Sequence, residues 1–101
     1  MDITYERKDR KLWVSLAGEL DHHAAKLTMG KLDQLIDTVM PLDLLLDFSG
    51  ISFMDSSGIA IVMRAYRRMQ SYGGTLAVTD APPQAKRVLL AANVQRLIQV
   101  R

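Results

Sequence analysis

Residues 42–72, LDLLLDFSGISFMDSSGIAIVMRAYRRMQSY, decide how the rest of the chain is read. Leu42, Leu44, Leu45, Leu46 and Phe48 form a short, nearly continuous apolar run, the pattern of a central strand covered on both faces in a parallel or mixed sheet. From Asp55 onward the period becomes helical. Ile59, Val62, Met63, Tyr66 and Met69 fall on one side of a cylinder at about 100° per residue, and that stripe is predicted to face the core. Asp55 suits the N-cap, so Ser56, Ser57 and Gly58 form the first turn, where backbone N–H groups lack partners within the helix and negative charge is favoured.

On the N-terminal side, Ile3 and Tyr5, then Leu12, Val14 and Leu16, alternate with polar residues and predict two antiparallel strands, with the charged Glu6 to Lys11 segment as their connection. Gly18 to Asp21 breaks the alternation. Asp21 can cap a helix whose apolar positions are Ala25, Met29, Leu32, Ile36 and Val39, which Pro41 stops by disfavouring helical backbone at Met40. On the C-terminal side, Gly73-Gly74 ends the second helix and TLAVT (Thr75 to Thr79) is the next strand. Pro82 and Pro83 open a third helix with Ala85, Val88, Leu89 and Ala92 inward and Asn93 at its end; Leu97, Ile98 and Val100 suit a last edge strand. The predicted class is therefore α/β, with a mixed sheet of four to five strands and helices packed on it, in one domain spanning residues 1–101.

Composition narrows the function. A formal charge of +2 with both signs interspersed argues against a binder of nucleic-acid phosphates, and no stretch approaches the roughly 20 apolar residues that cross a bilayer. The opening MDITYERKDRK lacks the apolar core of a signal peptide, and the absence of cysteine fits a reducing compartment, so the cytoplasm is the expected location.

Three chemical readings compete at Asp55-Ser56-Ser57-Gly58. Capping alone explains the tetrad, since Asp and Ser are good cap residues and Gly permits close packing. A hydrolase would use Ser56 or Ser57 as nucleophile with His22 or His23 as base, but Met54 stands where a nucleophile elbow needs glycine. Asp21-His22-His23 makes a poor metal site, because adjacent helical residues diverge by about 100° and no third ligand lies one turn on. The third reading is a docking surface. Ile61 lies nearly opposite Ile59, among Arg64, Arg67 and Arg68, so a simple amphipathic helix leaves it exposed beside Gly58 and Ala65 as the apolar centre of a partner contact.

The segment SFMDSSGIAIVMRAYRRM, preceded by Gly18-Glu19-Leu20-Asp21-His22-His23 and followed by Gly73-Gly74 and a Pro-Pro-x-Ala-Lys-Arg helix, resembles the anti-sigma-factor antagonists of the STAS domain family. Within it, the likeness is nearest to members of the sporulation sigma-F pathway. The resemblance implies a protein that is not an enzyme and needs no cofactor or metal. It would bind an anti-sigma factor that is also a serine kinase, and so release the sigma factor. It further implies phosphorylation at the serine directly after the aspartate, Ser56, and restoration by a metal-dependent serine phosphatase. Asp21 matches the GELD aspartate, close to that serine and in contact with the partner. The expected contact set is Asp21, Asp55, Ser56, Ser57, Gly58 and Ile61, in a protein that is a monomer when free. Ala60 stands where small residues, often glycine, are usual. The alternative is a non-switching STAS scaffold or a transporter-associated interaction module.

Overall fold

The computed structural model describes Met1–Arg101. Its elements are β1 (Asp2–Lys8), β2 (Lys11–Leu20), α1 (His22–Val39), β3 (Asp43–Met54), α2 (Ser56–Ser71), β4 (Thr75–Thr79), α3 (Pro83–Ala91), a 3₁₀ turn (Val94–Arg96) and β5 (Gln99–Val100). The sheet runs in sequence order, β1-β2-β3-β4-β5, with the first pair antiparallel and the others parallel. Each parallel step is bridged by a segment containing one helix, and right-handed crossovers that always advance in one direction lay all three helices on the same face. Burial follows that geometry. Leu12, Val14 and Leu16 of β2 and Leu44, Leu46 and Phe48 of β3 are buried, while the alternate residues Trp13, Ser15, Leu45 and Asp47 are only half-covered.

The predicted central strand is therefore central but not covered on both faces. Leu45 and Asp47 point to the side without helices, where Ser15 Oγ donates to Asp47 at 3.2 Å across the β2–β3 ladder. The opening hairpin also differs from expectation. Glu6, Arg7 and Lys8 remain in β1, and only Asp9 and Arg10 make the turn, Asp9 with φ 57°. As an edge strand, β1 gains from charged residues that discourage pairing with another chain, which is why its alternation fades in the sequence. Strand β2 runs on to Leu20 through irregular register at Ser15/Ala17 and Gly18/Glu19, where the sequence had suggested a break.

In α1, Leu32 and Ile36 are buried as expected, with Ala25, Met29 and Val39 packed against the core; Met40 turns left-handed (φ 50°) before Pro41. Gly73 (φ 71°) ends α2 as a residue without Cβ can do at no steric cost. Strand β4 matches TLAVT, and β5 is only two residues long, with Ile98 buried just before it and Leu97 exposed.

The largest correction concerns α2. Its buried residues are Gly58, Ile61, Val62, Ala65 and Met69, whereas Ile59, Met63 and Tyr66 lie at the shoulder. Ile61, expected to be exposed, is 1% accessible and belongs to the core. The helix packs on the sheet and most extensively on α1, so its buried face is rotated toward the small residues Gly58 and Ala65, which let the backbone approach closely. Arg64 and Arg68, which seemed to mark a solvated flank, instead reach α1. Arg64 Nη2 donates to Asp33 at 2.8 Å, Arg68 Nε lies 3.4 Å from Asp33, and Arg68 Nη2 bonds Asp37. Paired in this way, the two arginines form the rim of the α1–α2 seam.

Candidate functional site

At one end of the sheet, two parallel neighbours run into two helices in the same way. Leu20 pairs with Met54, Asp21 and Asp55 follow them, and α1 and α2 begin at His22 and Ser56. Asp55 N–H donates to Leu20 C=O at 3.3 Å, so the two helix starts lie side by side at the spacing of adjacent strands, about 4.8 Å.

Both aspartates have extended backbone and cap with their side chains. Asp21 Oδ1 accepts from the N–H groups of His23 and Ala24, each at 3.1 Å, and Asp55 Oδ1 accepts from Ser57 N–H at 2.8 Å. That bond from Ser57 N–H is the main reason the Asp55 carboxyl titrates below its ordinary value of 3.8; desolvation is the next largest effect and opposes it, while the Ser57 hydroxyl and the neighbouring His22, through its N–H and its imidazole, add smaller downward contributions. Ser56, one residue past the cap, is exposed, while Ser57 is half-buried.

Gly58 closes the turn from below. A Cβ there would lie 2.5 Å from Cγ and Sδ of the buried Met54 and 3.2 Å from Cδ2 of Leu20, so only glycine lets α2 start this close to the ends of β2 and β3. Met54 is also held through its backbone. Gln84, in the first turn of α3, accepts from Met54 N–H through Oε1 at 2.9 Å and donates from Nε2 to Met54 C=O at 2.8 Å. Left unpaired in a buried strand end, each of those groups costs about 1–3 kcal/mol.

The arrangement thus offers an exposed hydroxyl on the residue that follows one of two side-by-side capping aspartates, at a pair of helix N-termini, each helix end equivalent to about half a positive charge. It has no apolar enclosure. Around it, Phe53 is 44% exposed on β3, and a shallow depression of about 470 Å³ beside Asp21 is lined by Met1, Glu19, His23, Ala24 and Leu27. A surface with charged caps, one modifiable hydroxyl and scattered apolar side chains suits recognition by another protein better than enclosure of a small substrate.

The family model described as Mlab, STAS domain, matches residues 3–99. The chain belongs to the STAS family. Among curated relatives, the anti-sigma F factor antagonist of Paenibacillus polymyxa is 29% identical over 100 residues, covering 99% of this chain and 86% of that protein. Among solved structures, the anti-sigma factor antagonist SpoIIAA in its unphosphorylated form is 25% identical with a TM-score of 0.84, covering 99% of this STAS chain and 88% of its own. The phosphorylated form of the Bacillus cell fate determinant SpoIIAA matches at 25% identity and a TM-score of 0.75, over 99% of this chain and 91% of its own.

Of the residues singled out in the sequence of this STAS protein, the fold brings Asp21, Asp55, Ser56, Ser57 and Gly58 together at the paired helix starts. Ile61 is left out of that surface by its burial. Sequence reasoning passed over Phe53 and Gln84. For Phe53 a signal existed: it alternates with the inward Met54 and so points outward. Gln84 had no local signal, because its partner is thirty residues away.

Proposed function

We propose that this chain, taken as one STAS domain over residues 1–101, is an anti-sigma factor antagonist that acts by binding rather than by catalysis. Its partner is an anti-sigma factor with serine kinase activity, the contact surface is the end of the sheet around Asp21, Asp55, Ser56 and Ser57, with the buried Gly58 supporting it from below, and phosphorylation of Ser56 switches binding off. A metal-dependent serine phosphatase restores the active form in the cytoplasm. The observation that carries this reading is the exposed Ser56 hydroxyl on the first residue of α2, framed by the carboxylate caps of two adjacent helices. The names of the relatives support the antagonist role, and the existence of a phosphorylated SpoIIAA supports a phosphate-controlled one.

The switch follows from local electrostatics. Phosphorylation adds about 1.5 to 2 negative charges and three acceptor oxygens beside two carboxylates. The two helix ends and surrounding water absorb the charge within the domain. A partner seated on this end would have to desolvate the phosphate and would meet its bulk and charge, which weakens docking.

The test is intact-mass analysis after incubation with magnesium-ATP and the purified anti-sigma F factor of Paenibacillus polymyxa, with Ser56→Ala alongside. One added phosphate on the wild type and none on the variant is the expected result. A stable complex with no phosphate on the wild type would replace the switch with a non-switching scaffold.

A further inference from the structure

Strand β3 outruns its neighbour. Strand β4 ends at Thr79, opposite Asp47, while β3 continues to Met54 against β2 alone. Within a strand, the N–H and C=O of one residue point to one side and those of the next residue to the other. Asp55 directs its N–H to Leu20 on the β2 side, so Met54 directs both of its groups to the side that β4 has vacated. The Gln84 carboxamide occupies that place and makes the two bonds that the backbone of a longer β4 would have supplied from two of its residues.

Gln84 is itself held stiffly. Pro82 and Pro83 precede it, each ring fixing its own φ, and the first turn of α3 is closed by Lys86 N–H donating to Pro82 C=O at 2.8 Å. Its neighbour Ala85 is buried in the core. A rigid helix start therefore grips the backbone of the residue that immediately precedes the Asp55 cap and Ser56, and whose side chain packs beneath Gly58.

We infer that Gln84 is a positioning residue for the Ser56 switch. It fixes the end of β3 so that the Ser56 hydroxyl is presented at one place to the incoming phosphoryl group, and it acts through the Met54 backbone rather than by contact with the reacting atoms. This rests on the reading of Ser56 as the phosphorylated residue.

The experiment compares wild type, Gln84→Ala and Gln84→Glu by two readouts. The first is amide hydrogen exchange of the free protein. In Gln84→Ala, exchange at Met54 and Ser57 should rise about tenfold while Leu32 and Ile36 of α1 keep their protection. In Gln84→Glu, the ionised carboxylate can accept from Met54 N–H but cannot donate to Met54 C=O. With one of the two bonds kept at pH 8, its exchange, corrected for intrinsic rates, should lie between the alanine variant and wild type there and approach wild type as the pH is lowered to about 5 and the carboxyl regains a proton. A purely structural substitution would show no such recovery.

The second readout is phosphorylation by the Paenibacillus polymyxa anti-sigma F factor with magnesium-ATP. For Gln84→Ala, kcat should fall about tenfold with KM within about twofold of wild type, as expected for a misplaced acceptor on an intact docking surface. Unchanged exchange at Met54, an unchanged kcat, or a raised KM at constant kcat would overturn the positioning role while wild type still accepts phosphate. A wild type that accepts none overturns the Ser56 reading, and the switch role of Gln84 falls with it.

Discussion

In the first turn of α2, Ser56 is exposed and Ser57 half-buried, whereas five residues beyond Ser56 the helix presents Ile61 at 1% accessibility, followed by the buried Val62 and Ala65. One helix thus passes from a capped first turn whose outer side, at Ser56, faces water to two turns enclosed by the sheet and α1. Charge introduced at the start meets solvent and a favourable helix dipole. The same charge one and a half turns later meets packed hydrocarbon. The division suits the switch proposed at Ser56: chemistry added to the first turn can leave the domain intact because the following turns hold it together.

Ile61→Glu attacks the enclosed part directly. A carboxylate at a fully buried position without a partner should remove about 4 kcal/mol or more, a large share of the 5–15 kcal/mol of a typical domain, and urea unfolding followed by circular dichroism would register it. Ile61→Val at the same site should cost only about 0.5–1.5 kcal/mol. If Ile61→Glu instead retained the wild-type midpoint and lost only partner binding, the buried face assigned to α2 would be wrong.

Gly58→Ala probes the boundary between the two parts. The added methyl must displace the Met54 side chain, so a loss of about 1–3 kcal/mol is expected from overpacking, with the shift visible at Met54 and Leu20 in methyl spectra. The paired variant Gly58→Ala/Met54→Ala, which opens space for that methyl, should lose less than the sum of its two single changes.

Asp55 gives a smaller effect that depends on pH. Its folded pKa lies below the ordinary 3.8, chiefly through the bond from Ser57 N–H. A depressed carboxyl stabilises the fold above the unfolded pKa, and that contribution is lost as the pH falls from about 4 through the folded value. Asp55→Asn keeps an N-cap acceptor but cannot titrate. Urea midpoints measured between about pH 5 and 2.5 should therefore fall less steeply for the variant than for wild type. Parallel curves would mean that Asp55 gains nothing from its cap bond on ionising.

Which parts of this were legible in the sequence depends on how far each signal reaches. The Asp21 and Asp55 caps, the stop at Gly73-Gly74 and the TLAVT strand rest on neighbouring residues, and they stand in the structure as read. The meeting of Asp21 with Ser56 was carried by the family resemblance, and its physical cause is the parallel register of Leu20 with Met54, which no local pattern encodes. Ile61 was misread for a related reason. Its arginine neighbours looked like a solvated flank only while Asp33 and Asp37, a helix away in the fold, were out of view. Gly58 and Ala65 compounded the error, because small residues weigh little on a hydrophobic wheel although they admit the closest packing. Gln84 bonding to Met54 lies beyond any periodicity argument, being one side chain completing a strand end thirty residues away.

Ser56→Asp should move stability least and binding most. The side chain is exposed on the first residue of α2, where an added carboxylate meets the helix dipole favourably and the Asp21 and Asp55 carboxylates unfavourably. These opposed exposed charges leave a net change within about 0.5 kcal/mol, so the urea midpoint should match wild type. Docking has no such compensation, because a partner must strip water from the new charge before it can close on the first turn. Isothermal titration with the Paenibacillus polymyxa anti-sigma F factor should show Ser56→Ala binding as wild type and Ser56→Asp at least about tenfold more weakly. A midpoint loss comparable to that of Gly58→Ala would show that the first turn is as constrained as the rest of the helix. Equal affinity of the two Ser56 variants would remove Ser56 from the contact and leave the exposed Phe53 and Leu27 as the groups to examine next.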